Sequence, residues 1–163
     1  MTVRTSSGAA TVSLPSPEQI LVTRRFNAPR ALVYRTWTTP ELVRRWWGEG
    51  LGEVTVAEID LRVGGRWRYV MIARGGEEVA FHGEYREVVP NERLVSTEVY
   101  EGMPDSEGAL NTLTFAESEG GTTLTLLVQH ANRADRDAHI SSGMEGGLQR
   151  SLNALESVAR SLR

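Results

Sequence analysis

Five polar side chains are the residues of this sequence best suited to chemistry in an apolar site. Period-2 alternation along predicted strands is expected to place these five, Tyr69, Tyr85, Thr97, Asn111 and His130, on the apolar side of a sheet. A hydroxyl, amide or imidazole group removed from water needs a hydrogen-bond partner. These groups could orient a ligand that carries a carbonyl or hydroxyl group, or backbone groups and ordered water could satisfy them.

No pattern typical of a known catalytic site accompanies these side chains. His82, His130 and His139 lack metal-binding spacing, no serine lies in a nucleophile elbow, and no glycine loop between a strand and a helix could cradle phosphate. The chain has no cysteine, which excludes disulfides and thiolate chemistry. We predict no metal, no cofactor and a binding protein rather than an enzyme. If there is turnover, His130, Tyr85 and Asn111 are the candidate catalytic groups, although for His130 a structural role is favoured.

Composition limits the partners. The chain has 163 residues, 18 basic and 21 acidic side chains and a formal net charge of −3, without a basic stripe. This predicts one domain and no nucleic-acid partner. No apolar run reaches the roughly 18 residues that span a membrane, so we expect a cytoplasmic monomer or homodimer. Residues 1–17, rich in Ser, Thr, Ala and Pro, are predicted as a flexible tail before a domain of residues 18–163.

The pattern of elements that must position these residues is α+β. A first strand begins at Gln19, and two short helices follow it, the second with Thr39 and Pro40 at its start. Six strands separated by short turns then fit between Val54 and Ala131, which favours antiparallel neighbours. An amphipathic helix follows from about Arg133. The result is an antiparallel meander of about seven strands followed by a long C-terminal helix.

Side chains on the apolar side of the sheet, with residues from the last helix, are predicted to line an internal cavity. The alternation places Val95, Thr97 and Val99 inward and Ser96 and Glu98 outward. The alternative for any one of these residues is a packed core. The predicted ligand-binding residues are Trp47, Trp67, Tyr69, Met71, Phe81, Tyr85, Thr97, Asn111, Leu113, Phe115, Leu126, His130, Met144 and Leu148.

Two adjacent tryptophans at the end of the second helix are predicted to have different roles. Neighbouring residues of a helix point about 100 degrees apart, so Trp46 and Trp47 face different surroundings. Trp46 follows Val43 and Leu42 at helical spacing and should anchor the helix to the sheet. Trp47, beside a glycine-rich loop, should lie at the cavity rim. The densest arginines are predicted to stay solvated: Arg24, Arg25, Arg44, Arg45, Arg66 and Arg68.

Four segments resemble one protein family. RRFNAPRALVYRTWTTPELVRRWWG, IDLRVGGRWRYVM, HGEYREVVPNERLVSTEVYEG and GGTTLTLLVQ are similar to bacterial proteins related to the C-terminal domain of the activator of the Hsp90 ATPase, within the START and Bet v 1-like (SRPBCC) superfamily. The resemblance covers about Gln19 to Leu162. It implies the helix-grip fold, in which a curved sheet wraps the last helix.

Three functions stay open, because this family hosts several activities on one scaffold. The favoured one is binding of a hydrophobic or aromatic, polyketide-like molecule in the cavity. The second is a polyketide cyclase, aromatase or hydrolase. The third is a co-chaperone-like module whose partner is an Hsp90-type chaperone. The resemblance also implies antibiotic biosynthesis, self-resistance or a stress response as biological settings.

Overall fold

The fold is built on one antiparallel sheet, and the computed structural model describes residues 9–103 and 107–163. Within these residues the sheet has eight strands in the order β1-β2-β8-β7-β6-β5-β4-β3, one more than predicted. The strands are β1 (Thr11–Ser13), β2 (Gln19–Phe26), β3 (Gly52–Ile59), β4 (Arg66–Ala73), β5 (Glu78–Val89), β6 (Arg93–Tyr100), β7 (Ala109–Ser118) and β8 (Gly121–His130). The helices are α1 (Arg30–Thr38), α2 (Pro40–Trp46), α3 (Arg133–Ser141) and α4 (Met144–Ser161). The predicted α+β helix-grip class is confirmed.

Part of the segment predicted as a flexible tail forms β1. Residues 1–8 lie outside the described residues, but Thr11–Ser13 pairs antiparallel with β2. The backbone of Ala10 also donates to and accepts from the side-chain amide of Gln149 on α4, both at 2.9 Å. The prediction is therefore wrong for residues 10–13. Pairing through the backbone does not require the large apolar side chains that the segment lacks.

The two short helices lie between β2 and β3, and a tryptophan joins them. Thr39 is the N-cap of α2 and Pro40 its first residue, as predicted. The indole Nε1 of Trp46 donates to the carbonyl oxygen of Thr36 at 3.0 Å, and its ring lies 4.8 Å from that of Trp37. Trp46 is only 4 % exposed. It therefore fixes α2 to α1 within the core cluster that also contains the inner-face residues of the sheet.

The C-terminal helix is broken once. The sequence predicts one helix from about Arg133, but α3 ends at Ser141 and α4 begins at Met144. Gly143 between them has a φ of 83°, in the left-handed region that favours glycine. The break turns the chain so that Leu152, Leu155 and Ala159 of α4 pack into the core.

The faces of the sheet agree with the alternation pattern except on β6. Leu94 pairs with Leu113 of β7, and both belong to the core, so Ser96, Glu98 and Tyr100 share their inner side. Val95, Thr97 and Val99 lie on the outer face, and Ser96 and Glu98 lie inside. The predicted faces of this strand were therefore reversed.

One arginine predicted to be solvated is buried under α4. The side chain of Arg24 is 0 % exposed and its Nη2 lies 3.2 Å from the carboxylate of Glu156. Its Nη1 donates to Oδ1 of Asn153 at 2.8 Å, and its guanidinium lies 4.8 Å from the centre of the Phe26 ring. Burial lowers the pKa of Arg24, while Glu156 opposes that shift. This ion pair fastens β2 to α4.

Candidate functional site

Five aromatic rings form a wall at one end of the inner face. Trp47 follows α2 and lies 5.5 Å from Tyr69 and 5.9 Å from Phe81, measured between ring centres. Trp67 lies 4.8 Å from Tyr69, and Tyr100 lies 5.1 Å from Phe81. Trp47 is partly buried and Tyr100 is exposed, so the wall extends from the core to the surface. Such a surface suits a flat apolar or cationic group.

Two buried polar atoms of the interior have no hydrogen-bond partner among the described residues. They are the hydroxyl oxygen of Tyr34 on α1 and the amide oxygen Oδ1 of Asn111 on β7. The Tyr34 ring packs edge-on against Phe115 at 5.4 Å, and Tyr34 is close enough to Tyr85 to contribute to the raised pKa of that hydroxyl. A buried polar atom without a hydrogen-bond partner costs about 1–3 kcal/mol of stability. A ligand group or a water molecule that forms a hydrogen bond to either atom would remove that cost.

Glu98 adds a carboxyl group to the same interior. It pairs with Ala109 across the β6–β7 ladder, two positions from the Ser96–Asn111 pair, so Glu98 and Asn111 are diagonal neighbours on one face. Burial raises the pKa of Glu98, and a hydrogen bond from Asn111 opposes that shift. No arginine or histidine of the described residues forms an ion pair with this carboxylate.

Two small residues neighbour Glu98 on the inner face. Ala109 flanks it on β7, and the register of Phe81 with Tyr100 places Gly83 opposite it on β5. The indole of Trp67 reaches across Gly83 and donates from Nε1 to the carbonyl oxygen of Thr97 at 3.2 Å. A Cβ atom at Gly83 would overlap both groups. Glycine is therefore required at this position if the Trp67 ring is to lie beside β6.

The inner tyrosines remain protonated at neutral pH. Burial raises the pKa of Tyr69 well above its usual range, and the nearby Tyr85 and Glu98 add to that shift. Burial also raises the pKa values of Tyr85 and Tyr34. Their hydroxyl groups can therefore donate hydrogen bonds to a ligand, while Glu98 and Asn111 can accept them.

His130 already has a partner. It lies on the inner face at the end of β8, and its Nε2 is 3.0 Å from Nδ1 of His139 on α3. Burial lowers the pKa of both imidazoles, that of His139 to about 4, and each would repel a positive charge on the other. The two rings are therefore uncharged at neutral pH and share one N–H···N hydrogen bond, which connects α3 to the sheet.

The structure brings the predicted ligand-binding residues to one interior, with one exception. Thr97 lies on the outer face, where its hydroxyl accepts a hydrogen bond from the backbone N–H of Glu84 at 2.9 Å. Those on the inner side of the sheet are Trp67, Tyr69, Met71, Phe81, Tyr85, Asn111, Leu113, Phe115, Leu126 and His130. Trp47 after α2, and Met144 and Leu148 of α4, pack partly buried against the core from the helical side.

The interior contains polar residues that the sequence analysis did not assign to it, among them Tyr34, Ser96, Glu98 and Tyr100. Tyr34 follows Val33 on an amphipathic helix, and only the direction of α1 shows that it faces the sheet. Glu98 and Tyr100 could have been found only with the correct faces of β6. The sequence does contain one signal for these faces. Ser96, Glu98 and Tyr100 follow Leu94 at intervals of two residues, so all four side chains lie on one face of the strand.

A second concavity lies on the outer face of β3–β6, and its charged side chains already pair with one another. Arg68 donates two hydrogen bonds to Glu101, each 2.9 Å long, and Nδ1 of His82 lies 2.9 Å from the same carboxylate. These contacts lower the pKa of Glu101 to about 2. Arg86 lies 3.5 Å from Glu84 in the same concavity. Because these charged groups already have partners, a ligand would gain fewer new polar contacts here than at the unpartnered atoms of the interior.

Residues 9–103 and 107–163 contain no group of three or more histidine, aspartate or glutamate side chains that could hold a metal ion. None of their helices is long and apolar enough to cross a membrane.

A curved antiparallel sheet on a long C-terminal helix, with an aromatic interior that contains unpartnered polar atoms, defines a ligand-binding domain of the helix-grip class. The chain belongs to the family of activator of Hsp90 ATPase homolog 1-like proteins, whose model matches residues 27–160. This confirms the family that the sequence motifs indicated. Membership indicates a ligand-binding fold and names no ligand for this chain.

Solved bacterial structures share this fold. A protein of Rhodobacter sphaeroides has a TM-score of 0.86 at 24 % identity, over 94 % of this chain and 99 % of that one. One from Mycobacterium smegmatis has a TM-score of 0.82 at 24 % identity, over 91 % and 96 %. One from Chromobacterium violaceum has 0.74 at 29 % identity, over 87 % and 97 %. None of the curated proteins compared with the chain matches it.

Proposed function

We propose that the protein binds a hydrophobic, aromatic small molecule in the interior between the sheet and α4. The observation that carries this proposal is the pair of buried polar atoms without partners, the Tyr34 hydroxyl and Oδ1 of Asn111, beside the aromatic wall. The wall offers stacking surface for an aromatic ring system. The polar atoms would then orient a hydroxyl, carbonyl or amine substituent of that ring system.

Binding is favoured over turnover by the partners of the candidate catalytic groups. His130, the natural general base of the set, is hydrogen-bonded to His139, and burial lowers the pKa of both. Burial raises the pKa of Tyr85, so its phenolate is not available as a base at neutral pH. Hydrogen bonding from these groups would fix the orientation of a ligand without moving a proton.

The proposal is tested by titration with a panel of substituted naphthalenes and anthraquinones, followed by tryptophan fluorescence and amide NMR. We expect quenching and saturable shifts at Trp47, Trp67 and the side-chain amide of Asn111. Replacing Asn111→Leu should weaken binding about two- to tenfold, the range for one lost neutral hydrogen bond. Its neighbour Thr112→Val, on the outer face of the same strand, is the matched control.

Two results would contradict the proposal. One is the absence of saturable shifts at inner-face residues with every compound, and the other is a set of shifts confined to the outer concavity around Arg68 and His82. Mass spectrometry of the bound compound after prolonged incubation separates binding from turnover. A new product that disappears in Tyr85→Phe would favour the cyclase or aromatase alternative.

A further inference from the structure

We infer that the ligand of this interior carries a cationic nitrogen, held by the carboxylate of Glu98 against the rings of Trp67 and Tyr69. The inference rests on the proposed function, since the same interior must hold the ligand. It deepens that proposal by naming the chemical class: an arylalkyl amine or a nitrogen heterocycle that is protonated at neutral pH.

Two acceptor groups lie next to each other at this point of the inner face. One is the carboxylate of Glu98, which has two acceptor oxygens. The other is Oδ1 of Asn111, a diagonal neighbour on the next strand, which is buried and receives no hydrogen bond within the described residues. A ligand that donates hydrogen bonds would satisfy both acceptor groups. An ammonium group donates up to three hydrogen bonds.

The inner basic side chains cannot neutralise Glu98, because each has another partner. Arg24 lies on the inner side of β2 but bonds to Asn153 and Glu156 on α4. His130 lies one strand beyond Ala109 and bonds to His139. Glu98 is only partly exposed, and a carboxylate without a countercharge is unfavourable there, so a ligand cation would supply the missing positive charge.

The aromatic side chains next to Glu98 also suit a cationic group. Gly83 and Ala109 flank it, and the Trp67 indole occupies the position that a larger side chain at Gly83 would fill. The Trp67 ring reaches across Gly83 and is fixed there by its hydrogen bond to Thr97, with Tyr69 4.8 Å away between ring centres. Tyr69 is close enough to Glu98 to respond to its charge. A carboxylate beside two electron-rich rings is a common arrangement for recognising ammonium groups.

The experiment compares two probes of similar size on the full chain at pH 7.5. One is 2-(aminomethyl)naphthalene, which is an ammonium ion at this pH, and the other is the neutral 2-(hydroxymethyl)naphthalene. Dissociation constants are measured by calorimetry and tryptophan fluorescence. We expect the amine to bind at least about tenfold more tightly, the range for a charged hydrogen bond. Glu98→Gln should remove this preference without weakening the alcohol, and Glu58→Gln, an exposed residue on the outer face, should keep it.

The outcomes separate the two proposals. If the alcohol binds as tightly as the amine, or if Glu98→Gln keeps the preference for the amine, the cationic ligand is refuted while the binding site stands. If neither probe binds, this inference fails, while the proposed function is decided separately by the wider panel of naphthalenes and anthraquinones. If Glu98→Gln does not fold, the comparison of the two probes on the unmodified protein still decides the point.

Discussion

The buried ion pair between Arg24 and Glu156 gives an asymmetric prediction about stability. The arginine side chain is 0 % exposed and that of Glu156 is 15 % exposed, so the two partners depend unequally on each other. Removing the carboxylate leaves a guanidinium buried under α4. Removing the arginine leaves a carboxylate with access to water and with a hydrogen bond from the backbone N–H of Asn27 at 2.7 Å.

The expected magnitudes follow from these contacts. Breaking one side of a buried pair typically costs about 3–5 kcal/mol. Arg24 would keep its bonds to Asn153 and to the carbonyl oxygen of Arg25, so we place Glu156→Ala near the lower end, about 3 kcal/mol. Arg24→Met keeps apolar volume and should cost about 1 kcal/mol. For a chain of this length these values correspond to decreases in Tm of about 6–12 °C and 2–4 °C.

Urea and thermal unfolding followed by circular dichroism measure both effects. The double variant should be more stable than Glu156→Ala alone, because it no longer buries an unpaired charge. Glu117→Ala is the control, since Glu117 forms only a long, exposed pair with Arg30 at 4.0 Å and its loss should change stability by less than about 0.5 kcal/mol. The reasoning is refuted if Arg24→Met destabilises as much as Glu156→Ala or if the double variant is the least stable.

Two further predictions concern the paired tryptophans and the paired histidines. Trp46→Ala should lower the free energy of unfolding, measured by urea titration, by about 3–5 kcal/mol. Trp47→Ala should mainly weaken binding of the proposed aromatic ligand, measured by fluorescence titration. The opposite pattern would reverse the roles of the two tryptophans. The pKa of His139 is about 4 in the folded protein and near 6.5 in the unfolded chain, so the unfolded chain binds the proton more readily. The contribution of His139 to the free energy of unfolding is therefore complete above about pH 6.5 and is lost as the pH falls towards 4. Urea midpoints should decline less between pH 7 and 5 in His139→Gln, and an equal decline would contradict this cause.

Most elements could be predicted because their side-chain periodicity is strong, and β6 shows where that signal ends. The sequence analysis placed Val95 and Val99 inward because they are the apolar, β-branched residues of that strand. The structure places Ser96 and Glu98 inward instead, since Leu94 pairs with Leu113 in the core. A strand that lines a polar part of an interior violates the rule that the apolar side faces inward, so polarity alone assigned it to the wrong face.

Arg24 illustrates a different limit. It shares the parity of Ile20, Val22 and Phe26, so the alternation of β2 already placed it on the inner face. Its charge argued against that position, and the partners that stabilise it lie on α4, well over a hundred residues later in the chain. Local patterns cannot show a partner that distant. Long-range pairing with α4 therefore decided the position of Arg24.

The pairing of β2 with β8 also affects how the protein is made. Ile20 pairs with Val128, a separation of 108 residues (128 − 20), whereas the other described strand pairs are neighbours in the chain. At about 5–20 residues per second of translation, β2 leaves the ribosome on the order of 5–20 s before its partner exists. During that interval its apolar residues are exposed, and the adjacent charges of Arg24 and Arg25 would oppose aggregation of this edge. The same arginine that later fastens the finished sheet to its helix would thus protect the nascent strand.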